Sequence, residues 1–536
     1  MTDSRPFLYK TVPFLFLIII VLALFWKTTS YDVTDNDDDI FVTGSAARYT
    51  APAIFMDLFK NNVYFGGNTN YYRPVLILTF MIDNKIGGDS ASISHLTNIL
   101  LHVFSVLLLF FFLQKYVFPQ KTALLASMLF AVHPLAVYTA TWIPGRNDSL
   151  FFILFFICLI LLLEYNQKRK IYYLAAHFLA VMVLLFTKES AIIIPAVFIV
   201  YFITHGLKEK KVHAAVICAV WLFEIVIFLM MRNAVFKNEP SGYLLKTAVN
   251  FRDYGMFFEY YYSVFLLRAP IAVNSFSKIA MLSGALLAVA LPIFSFICAK
   301  DKKKIIFYIV LPFILLLPTV MAGRVWFQAN RMYLPMFAII VCLFTIYDYL
   351  AGKYKDRERI ITAAVVAAII LCSYITWTKL PVFQNGVTFF GKMYDESKHM
   401  GTLIPNLYAY SLLKHGYLEE AFEVASKTTQ PNAGENTALV YNMGNYYIIK
   451  GDYLAAAKNF EKLSDREEYR DLPTYARLVI CCNHLNAEDA KKYYYSKALS
   501  ENHVSQEEFD KVVSDTENQI RLQRELYEKH SAGISE

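Results

Sequence analysis

The apolar run FLFLIIIVLALFW, Phe14 to Trp26, and the acidic segment DNDDDI, Asp35 to Ile40, decide how the rest of the chain is organised. A helix of about 20 apolar residues spans the ~30 Å hydrocarbon core of a bilayer. Arg5 and Lys10 precede the run and the acids follow it. The positive-inside rule therefore predicts a cytoplasmic N-terminus and an acidic loop on the outer face, where we expect any chemistry to occur.

The composition is that of a membrane protein with several spans. Hydrophobic residues make up 57% of the 536 residues and charged residues only 18%, with a mean hydropathy of +0.39, which is too apolar for a soluble globule. The net charge of +7 comes from short basic loops between apolar runs, so it indicates topology and no nucleic-acid partner is expected. The spacing of the seven cysteines predicts neither a metal site nor a disulfide framework.

About eleven membrane-spanning helices are predicted. The ten apolar runs after the first are residues 94–113, 121–141, 149–165, 171–187, 190–206, 212–231, 279–299, 305–321, 332–350 and 360–378. With a first outer loop at about 27–92, every strongly basic short loop falls on the inner side. Counting the semi-apolar stretch 256–271 as a span would reverse this pattern, so we interpret that stretch as a re-entrant or interfacial helix on the outer side. The C-terminal tail is then also outside.

The tail, residues 381–536, has a polar helical composition and an internal repeat that is typical of tetratricopeptide repeats. The pattern is Val440-x-x-Met443-Gly444-x-x-Tyr447, followed by Gly451-Asp452-Tyr453, Ala456 and Phe460. Gly416 and Ala421 lie 35 residues before Gly451 and Ala456, and Ala490 lies 34 residues after Ala456. We therefore predict two or three repeats in an extracytoplasmic domain, and a polytopic membrane domain over residues 1–380.

Ionisable residues collect in the predicted outer loops and at the outer ends of the spans. They are Asp37, Asp38, Asp39, Arg73, His133, Arg146, Asp148, Lys188, Glu189 and Arg331. Each has an ordinary structural explanation, such as capping a helix or snorkelling to the interface. Together they suggest a polar cavity that opens outwards, because charges near hydrocarbon are costly unless they are paired, solvated or functional.

Such a cluster would suit glycosyl transfer. A carboxylate can act as the general base that takes the proton of an acceptor hydroxyl as the hydroxyl attacks the anomeric carbon of a sugar. If the departing group is a lipid phosphate, its negative charge can be stabilised by Arg, Lys or His, or by a divalent metal such as Mg²⁺ or Mn²⁺ held by carboxylates. The sequence does not decide between these two ways of holding the phosphate.

Several ordered motifs are similar to those of one enzyme family. They are DDDI at 37–40, YYRP at 71–74 with LTF at 78–80, IGG at 86–88, His95, Asn98, His102, HP at 133–134, GRND at 145–148, KES at 188–190 and NRMYLP at 330–335. The ordered set, followed by the repeats, resembles the tetratricopeptide-repeat transmembrane O-mannosyltransferases of the GT-C superfamily, and particularly their shorter bacterial relatives. The acidic loop departs from the family pattern, because Thr43-Gly44 stands where an Asn is expected.

The resemblance implies an all-α GT-C fold, a catalytic acid in the first outer loop, a polyprenyl-phosphate-linked sugar as donor and a protein Ser or Thr hydroxyl as acceptor. On this chain it makes Asp38 or Asp39 the base, with Asp37 beside them. It makes Arg331, Arg146 and Arg73 candidates for contacts with the phosphate or the sugar. The remaining substrate-binding candidates are His133, Asp148, Lys188, Glu189 and Tyr333.

Three functions follow as hypotheses. The first is an inverting glycosyltransferase in a bacterial inner membrane, active on the periplasmic side, with the periplasmic repeats recruiting a protein acceptor or partner. The second is a transferase that acts on a lipid, a glycan or a cell-wall polymer. The third is a non-catalytic membrane scaffold, although a scaffold requires neither eleven spans nor a cluster of outer carboxylates and arginines.

Overall fold

The computed structural model describes residues 7–42, 54–65, 71–206, 211–236, 278–321, 329–396, 403–427 and 437–532, together with 258, 263 and 264. Within those ranges every regular element is a helix, which confirms the predicted all-α class. The chain divides into two compact units, Met1–Asn385 and Gly386–Glu536. The boundary predicted after residue 380 falls inside the short 3₁₀ helix Leu380–Phe383. The predicted interfacial helix at 256–271 lies outside the described residues except for 258, 263 and 264.

The first unit is built from long apolar helices joined by short turns. Its α-helices are α1 (Phe7–Phe25), α2 (Asp38–Val42), α3 (Ile54–Asp57), α4 (Pro74–Gly87), α5 (Ala91–Tyr116), α6 (Gln120–Val132), α7 (Ala136–Thr141), α8 (Arg146–Lys168), α9 (Ile171–Leu185), α10 (Ile194–His205), α11 (Lys211–Val235), α12 (Lys278–Cys298), α13 (Lys302–Met321), α14 (Tyr333–Lys353) and α15 (Glu358–Lys379). Short 3₁₀ helices precede several of them, at Ile143–Gly145, Glu189–Ile193 and Ala329–Met332.

The eleven predicted apolar runs coincide with helices of the first unit. The unit is therefore polytopic. Among the described residues, seven helical stretches are long and apolar enough to cross a bilayer: Thr11–Ser30, Ala91–Tyr116, Ile143–Lys168, His213–Val235, Met281–Cys298, Ala329–Lys353 and Lys355–Phe383. Three shorter apolar helices, α6, α9 and the stretch Glu189–His205, account for further predicted runs. The run 121–141 is divided at His133 because Pro134 cannot continue an α-helix.

The predicted inner and outer loops lie at opposite ends of the helices. At one end Lys115 of α5 and Lys168 of α8 both bind Glu164, with Nζ to carboxylate oxygen distances of 2.5 and 2.6 Å. At that same end Lys121 of α6 pairs with Glu358 of α15 at 2.6 Å. Lys115, Lys168 and Glu358 belong to short loops predicted on the inner side, and Lys121 and Glu164 lie at the adjoining ends of predicted spans. This is therefore the predicted inner end, and the acidic loop is predicted at the other end.

The second unit contains three successive helix pairs. Its helices are α16 (Gly386–Glu396), α17 (Leu403–Lys414), α18 (Leu418–Lys427), α19 (Thr437–Lys450), α20 (Tyr453–Ser464), α21 (Leu472–His484), α22 (Glu488–Asn502) and α23 (Gln506–Ser531). The turns inside the pairs carry Gly416, Gly451 and Asn486, at intervals of 35 residues, with φ of 83°, 84° and 56°. This left-handed backbone closes each pair and favours glycine or asparagine.

The predicted register of the repeats agrees with the packing within a pair. A Cβ at Gly444 of α19 would lie 2.7 Å from the ring of Phe460 of α20, so only glycine lets the two helices approach this closely. Ala456 and Phe460 are fully buried, and Ala421 occupies the equivalent buried position in the first pair. The small residues that revealed the repeat are therefore those that set the distance between its helices.

Candidate active site

The acidic loop is organised around the carboxylate of Asp38. Its Oδ2 accepts hydrogen bonds from the backbone N–H of Thr34 (2.7 Å) and from the Thr34 hydroxyl (2.8 Å), and its Oδ1 accepts from the N–H of Asn36 (3.2 Å). Asp35 and Asp37, which both precede Asp38, have φ of 55° and 69°, and this backbone folds the loop tightly around the Asp38 side chain. Asp38 is completely buried, and desolvation raises its pKa to about 7 against the lowering effect of these hydrogen bonds. Asp38 thus fixes the shape of the loop.

Asp37 is an exposed residue of the loop. The hydroxyl of Tyr64 donates a hydrogen bond to it, and the charge of Arg73 acts on it. The surrounding protein nevertheless raises its pKa, because desolvation outweighs those two favourable contacts. A carboxylate with a raised pKa is a stronger base than an ordinary aspartate and is suited to accept a proton.

Arg73, at the start of α4, is paired with Glu189. Its Nε and Nη2 both lie 2.9 Å from Glu189 Oε2, while the N–H of Tyr72 donates to Glu189 Oε1 at 2.7 Å. With its amide oriented to satisfy its neighbours, Asn147 accepts a further bond from Arg73 Nη1 at 3.1 Å. The carboxylate of Glu189 offsets the charge of Arg73. The ion pair also links the segment before α4 to the segment before α10.

A second set of charges surrounds Asp148 at the start of α8. Lys188 Nζ lies 2.5 Å from Asp148 Oδ1, and the amide of Asn330 donates to Asp148 Oδ2 at 2.8 Å. Burial lowers the pKa of Lys188, and the nearby positive charges of Arg73 and Arg331 act in the same direction. Asp148, Lys188 and Arg331 therefore lie near one another, although they come from three separate segments of the chain.

Tyr138 lies near both the acidic loop and Arg331. Tyr138 is buried, and the charges of Asp37, Asp38 and Arg331 all act on its hydroxyl. In the next turn the indole N–H of Trp142 donates to the carbonyl oxygen of Asn36 at 2.9 Å, which holds the acidic loop against α7. Asp37, Asp38 and Arg331, three of the charged residues that the sequence predicted as one site, thus lie near the same tyrosine.

Arg146 lies apart from that cluster, enclosed in the protein. It is completely buried, and its Nη1 is 2.6 Å from Asp83 Oδ2. Its Nε donates to Asn98 Oδ1 (2.9 Å) and its Nη2 to the carbonyl of Ser94 (2.9 Å), while Phe80 packs against its guanidinium at 4.2 Å. Asn98 in turn donates to the carbonyl of Trp142 at 2.9 Å, so Arg146 supports the turn that holds the acidic loop.

The buried Arg146–Asp83 pair gives the first testable prediction. Asp83→Leu leaves an unpaired buried guanidinium and is expected to destabilise the protein by about 3–5 kcal/mol, measured as a lower melting temperature in detergent. The double variant with Arg146→Met is expected to recover part of that loss, because no buried charge remains. Glu358→Gln, which breaks an exposed pair with Lys121, is the control and should change the melting temperature little. An unchanged melting temperature for Asp83→Leu would contradict a structural role for the pair.

The other predicted residues have internal partners. His133 is buried, donates through Nε2 to the carbonyl of Val264 (3.0 Å) and accepts at Nδ1 from the N–H of Leu135 (3.2 Å). Tyr333 is fully buried, and its hydroxyl lies 2.6 Å from His102 Nδ1. Asp39 is half-buried, and its Oδ1 accepts from the N–H of Ile40 (3.0 Å).

Four residues near the site were not predicted from the sequence. Tyr64 binds Asp37, Trp142 holds the loop, Tyr138 lies between the acids and Arg331, and Asp83 neutralises Arg146. Only Trp142 carried a signal, since it stands just before the GRND motif. Within the described ranges, no three His, Cys, Asp or Glu side chains come together in a way that could hold a metal ion, and the suggested Mg²⁺ or Mn²⁺ stays a prediction.

Comparison with known proteins agrees with the family that the motifs suggested. A family model described as dolichyl-phosphate-mannose-protein mannosyltransferase matches residues 74–231, which include the GRND and KES motifs but neither the acidic loop nor Arg331. Protein O-mannosyl-transferase TMTC2 of Mus musculus is 29% identical over 202 residues, covering 36% of this chain and 24% of the relative. Protein O-mannosyl-transferase TMTC1 of Homo sapiens is 33% identical over 126 residues, covering 22% and 14%.

The similarity is partial in length. The match spans about a quarter of TMTC2, and no solved structure matches the chain. Within that extent, the resemblance to the tetratricopeptide-repeat transmembrane O-mannosyltransferases is confirmed.

Proposed function

We propose that this relative of the tetratricopeptide-repeat transmembrane O-mannosyltransferases is a membrane glycosyltransferase. It would move a sugar from a polyprenyl-phosphate-linked donor to an acceptor hydroxyl, the Ser or Thr of a protein, on the extracytoplasmic face of a bacterial inner membrane. One juxtaposition supports this function above all. The carboxylate of the exposed residue Asp37 and the guanidinium of Arg331 both lie near one buried tyrosine, Tyr138.

Asp37 is the carboxylate best suited to be the base. The resemblance pointed to Asp38 or Asp39, but Asp38 is completely buried and its oxygens already accept three hydrogen bonds. Asp37 is exposed and has a raised pKa, so it can reach an acceptor and hold its proton. Asp38 then acts as a positioning residue that sets the backbone on which Asp37 is carried.

The reaction would be a single displacement. The acceptor oxygen attacks the anomeric carbon and gives its proton to the Asp37 carboxylate, while the bond from that carbon to the phosphate oxygen breaks. The electron pair leaves with the lipid phosphate, and a fixed guanidinium stabilises the charge that develops there. Inversion at the anomeric carbon follows from one displacement on the face opposite the leaving group.

Arg331 is the cation best suited to the phosphate. Glu189 neutralises Arg73, Asp148 neutralises Lys188, and Asp83 neutralises Arg146. Half-buried Arg331 has no carboxylate or hydrogen-bond partner within the described part of the chain, so its charge is available to an anion. The neighbouring Asn330 is buried, and within the same ranges its Oδ1 lacks a hydrogen-bond partner.

The proposed transfer is tested by mass spectrometry of envelope proteins. Cells of the source organism that lack this gene are compared with cells that carry it again, and both are analysed for glycopeptides and for lipid-linked sugars. We expect Ser- or Thr-linked glycopeptides to disappear in the deletion strain and to return with the gene, while the sugar-loaded lipid accumulates without it. Unchanged glycopeptides together with altered glycolipid or cell-wall polymer would favour the alternative acceptors. No change in either class would leave a scaffold as the better description.

A further inference from the structure

The last helix of the chain, α23, lies across all three helix pairs of the second unit. It packs against α21 and α19, the first helices of the third and second pairs. Near its end, Leu526 and Tyr527 meet Gly416, the turn glycine of the first pair, and His530 stacks on Tyr417 at 4.3 Å. A helix that only capped the array would cover the last pair alone.

The contact surface of α23 is one face of the helix, on which Val512, Val513 and Tyr527 are partly buried against the core of the unit. Phe509, Thr516 and Ile520 are its buried residues, at spacings of seven and four, which put them on one face of a helix. Most of the remaining side chains of α23 are exposed or half-buried. This is how an amphipathic helix of a ligand lies in a groove, with a few anchors and a solvated outer face.

Arg524 continues this face four residues after Ile520. Its Nε donates to the carbonyl of Ile449 (2.9 Å), and its Nη2 donates to the carbonyl of Ile448 (3.0 Å) and reaches the Tyr453 hydroxyl (3.1 Å). Those carbonyls belong to the last turn of α19, where backbone acceptors have no partner inside their own helix. Arg524 therefore binds the C-terminal end of α19 and fixes the position of α23 along the surface.

We infer that α23 is a displaceable ligand of the surface formed by α19, α21 and the turn after α17. When released, that surface binds an amphipathic helix of a partner protein with an apolar stripe followed by an arginine. Because α23 is tethered, its effective concentration is high, on the order of millimolar, and an external helix competes poorly until α23 is removed. This inference extends the proposed role of the repeats, which is to bind a protein acceptor or partner. It depends on that proposed function only for the identity of the partner.

A synthetic peptide of residues 505–532 tests this inference without any transfer assay. We expect the labelled peptide to bind the detergent-purified chain truncated after Val504 saturably, and at least about tenfold more tightly than the full chain. An Arg524→Ala peptide should bind at least about tenfold more weakly, since it loses the charged hydrogen bonds to the end of α19. The matched control is Arg521→Ala, which removes an exposed arginine one turn away and should bind as the parent peptide does.

Hydrogen exchange on the full chain provides a second, independent measurement. A displaceable α23 should exchange its amides faster than α19 and α21, and Arg524→Ala should accelerate α23 alone while Arg521→Ala does not. Exchange of α23 in step with α19 and α21, or failure of the peptide to bind a truncated chain that keeps its helical content, would show that α23 is a fixed part of the domain. Either result overturns the inference and leaves the proposed transfer untouched.

Discussion

Asp37→Asn is expected to reduce sugar transfer by about 10²–10⁴-fold, because an amide cannot take the proton of the acceptor hydroxyl. The substitution keeps the size of the side chain, and Asp37 is exposed, so the protein should fold and insert normally. Transfer is measured as glycopeptide abundance in cells that carry the variant in place of the wild-type gene. Expression level and melting temperature of the purified variant show whether any loss is catalytic.

Two further variants separate the acids of the loop. Asp32→Asn is the matched control, because Asp32 is exposed and its Oδ1 accepts from the N–H of its own neighbour, Val33, at 2.8 Å. It should retain transfer. Asp38→Asn removes an acceptor of the Thr34 hydrogen bonds, so we expect it to lower both transfer and melting temperature. Full transfer in Asp37→Asn together with complete loss in Asp39→Asn at unchanged stability would assign the base to Asp39 instead.

The pH profile gives a second readout of a catalytic base. A base works only when deprotonated, so transfer by membrane vesicles supplied with native lipid extract should fall as the pH drops through the pKa of Asp37. Since desolvation raises that pKa, the fall should begin at a higher pH than for an ordinary aspartate. The residual activity of Asp37→Asn should lack this acid limb.

Much of the fold could be predicted from the sequence because apolar runs of membrane length have few alternatives to helix. The common location of the motifs was also predictable, since spans that alternate in direction bring every second loop to the same end. The repeats were visible because Gly416, Gly451 and Gly444 are needed for turns and close packing, and such needs leave a pattern in the sequence.

Side-chain pairing could not be predicted in the same way. Arg73, Arg146 and Arg331 look alike in the sequence, as arginines in or beside outer loops. Their charges differ in the structure because Glu189 and Asp83 come from other elements and neutralise the first two. Likewise, the backbone at Asp35 and Asp37, with positive φ, decides that Asp38 points inwards. Neither a charge pattern nor a helix period carries that information.

Within the part of the chain that the structure describes, Arg331 has no carboxylate partner, and this leads to the second large effect. Arg331→Ala is expected to lower the rate of transfer by about 10²–10³-fold, the loss typical when one fixed group that stabilises a developing oxyanion is removed. Arg331→Lys should recover part of the rate, because an ammonium supplies the charge without the two-pronged geometry of a guanidinium. The same glycopeptide and vesicle measurements apply.

The control for Arg331 is Arg359→Ala, which removes an exposed arginine at the predicted inner end of the helices and should leave transfer unchanged. Arg73→Ala should differ from Arg331→Ala in kind, because it leaves Glu189 without its partner and so should also lower the melting temperature. If Arg331→Ala transfers at the normal rate while Arg73→Ala is stable and inactive, then the phosphate is held by Arg73 after displacement of Glu189. That result would place the binding site of the leaving phosphate in the loop before α4. Loss of rate in Arg331→Ala at unchanged stability would instead support a phosphate site at Arg331, just before α14.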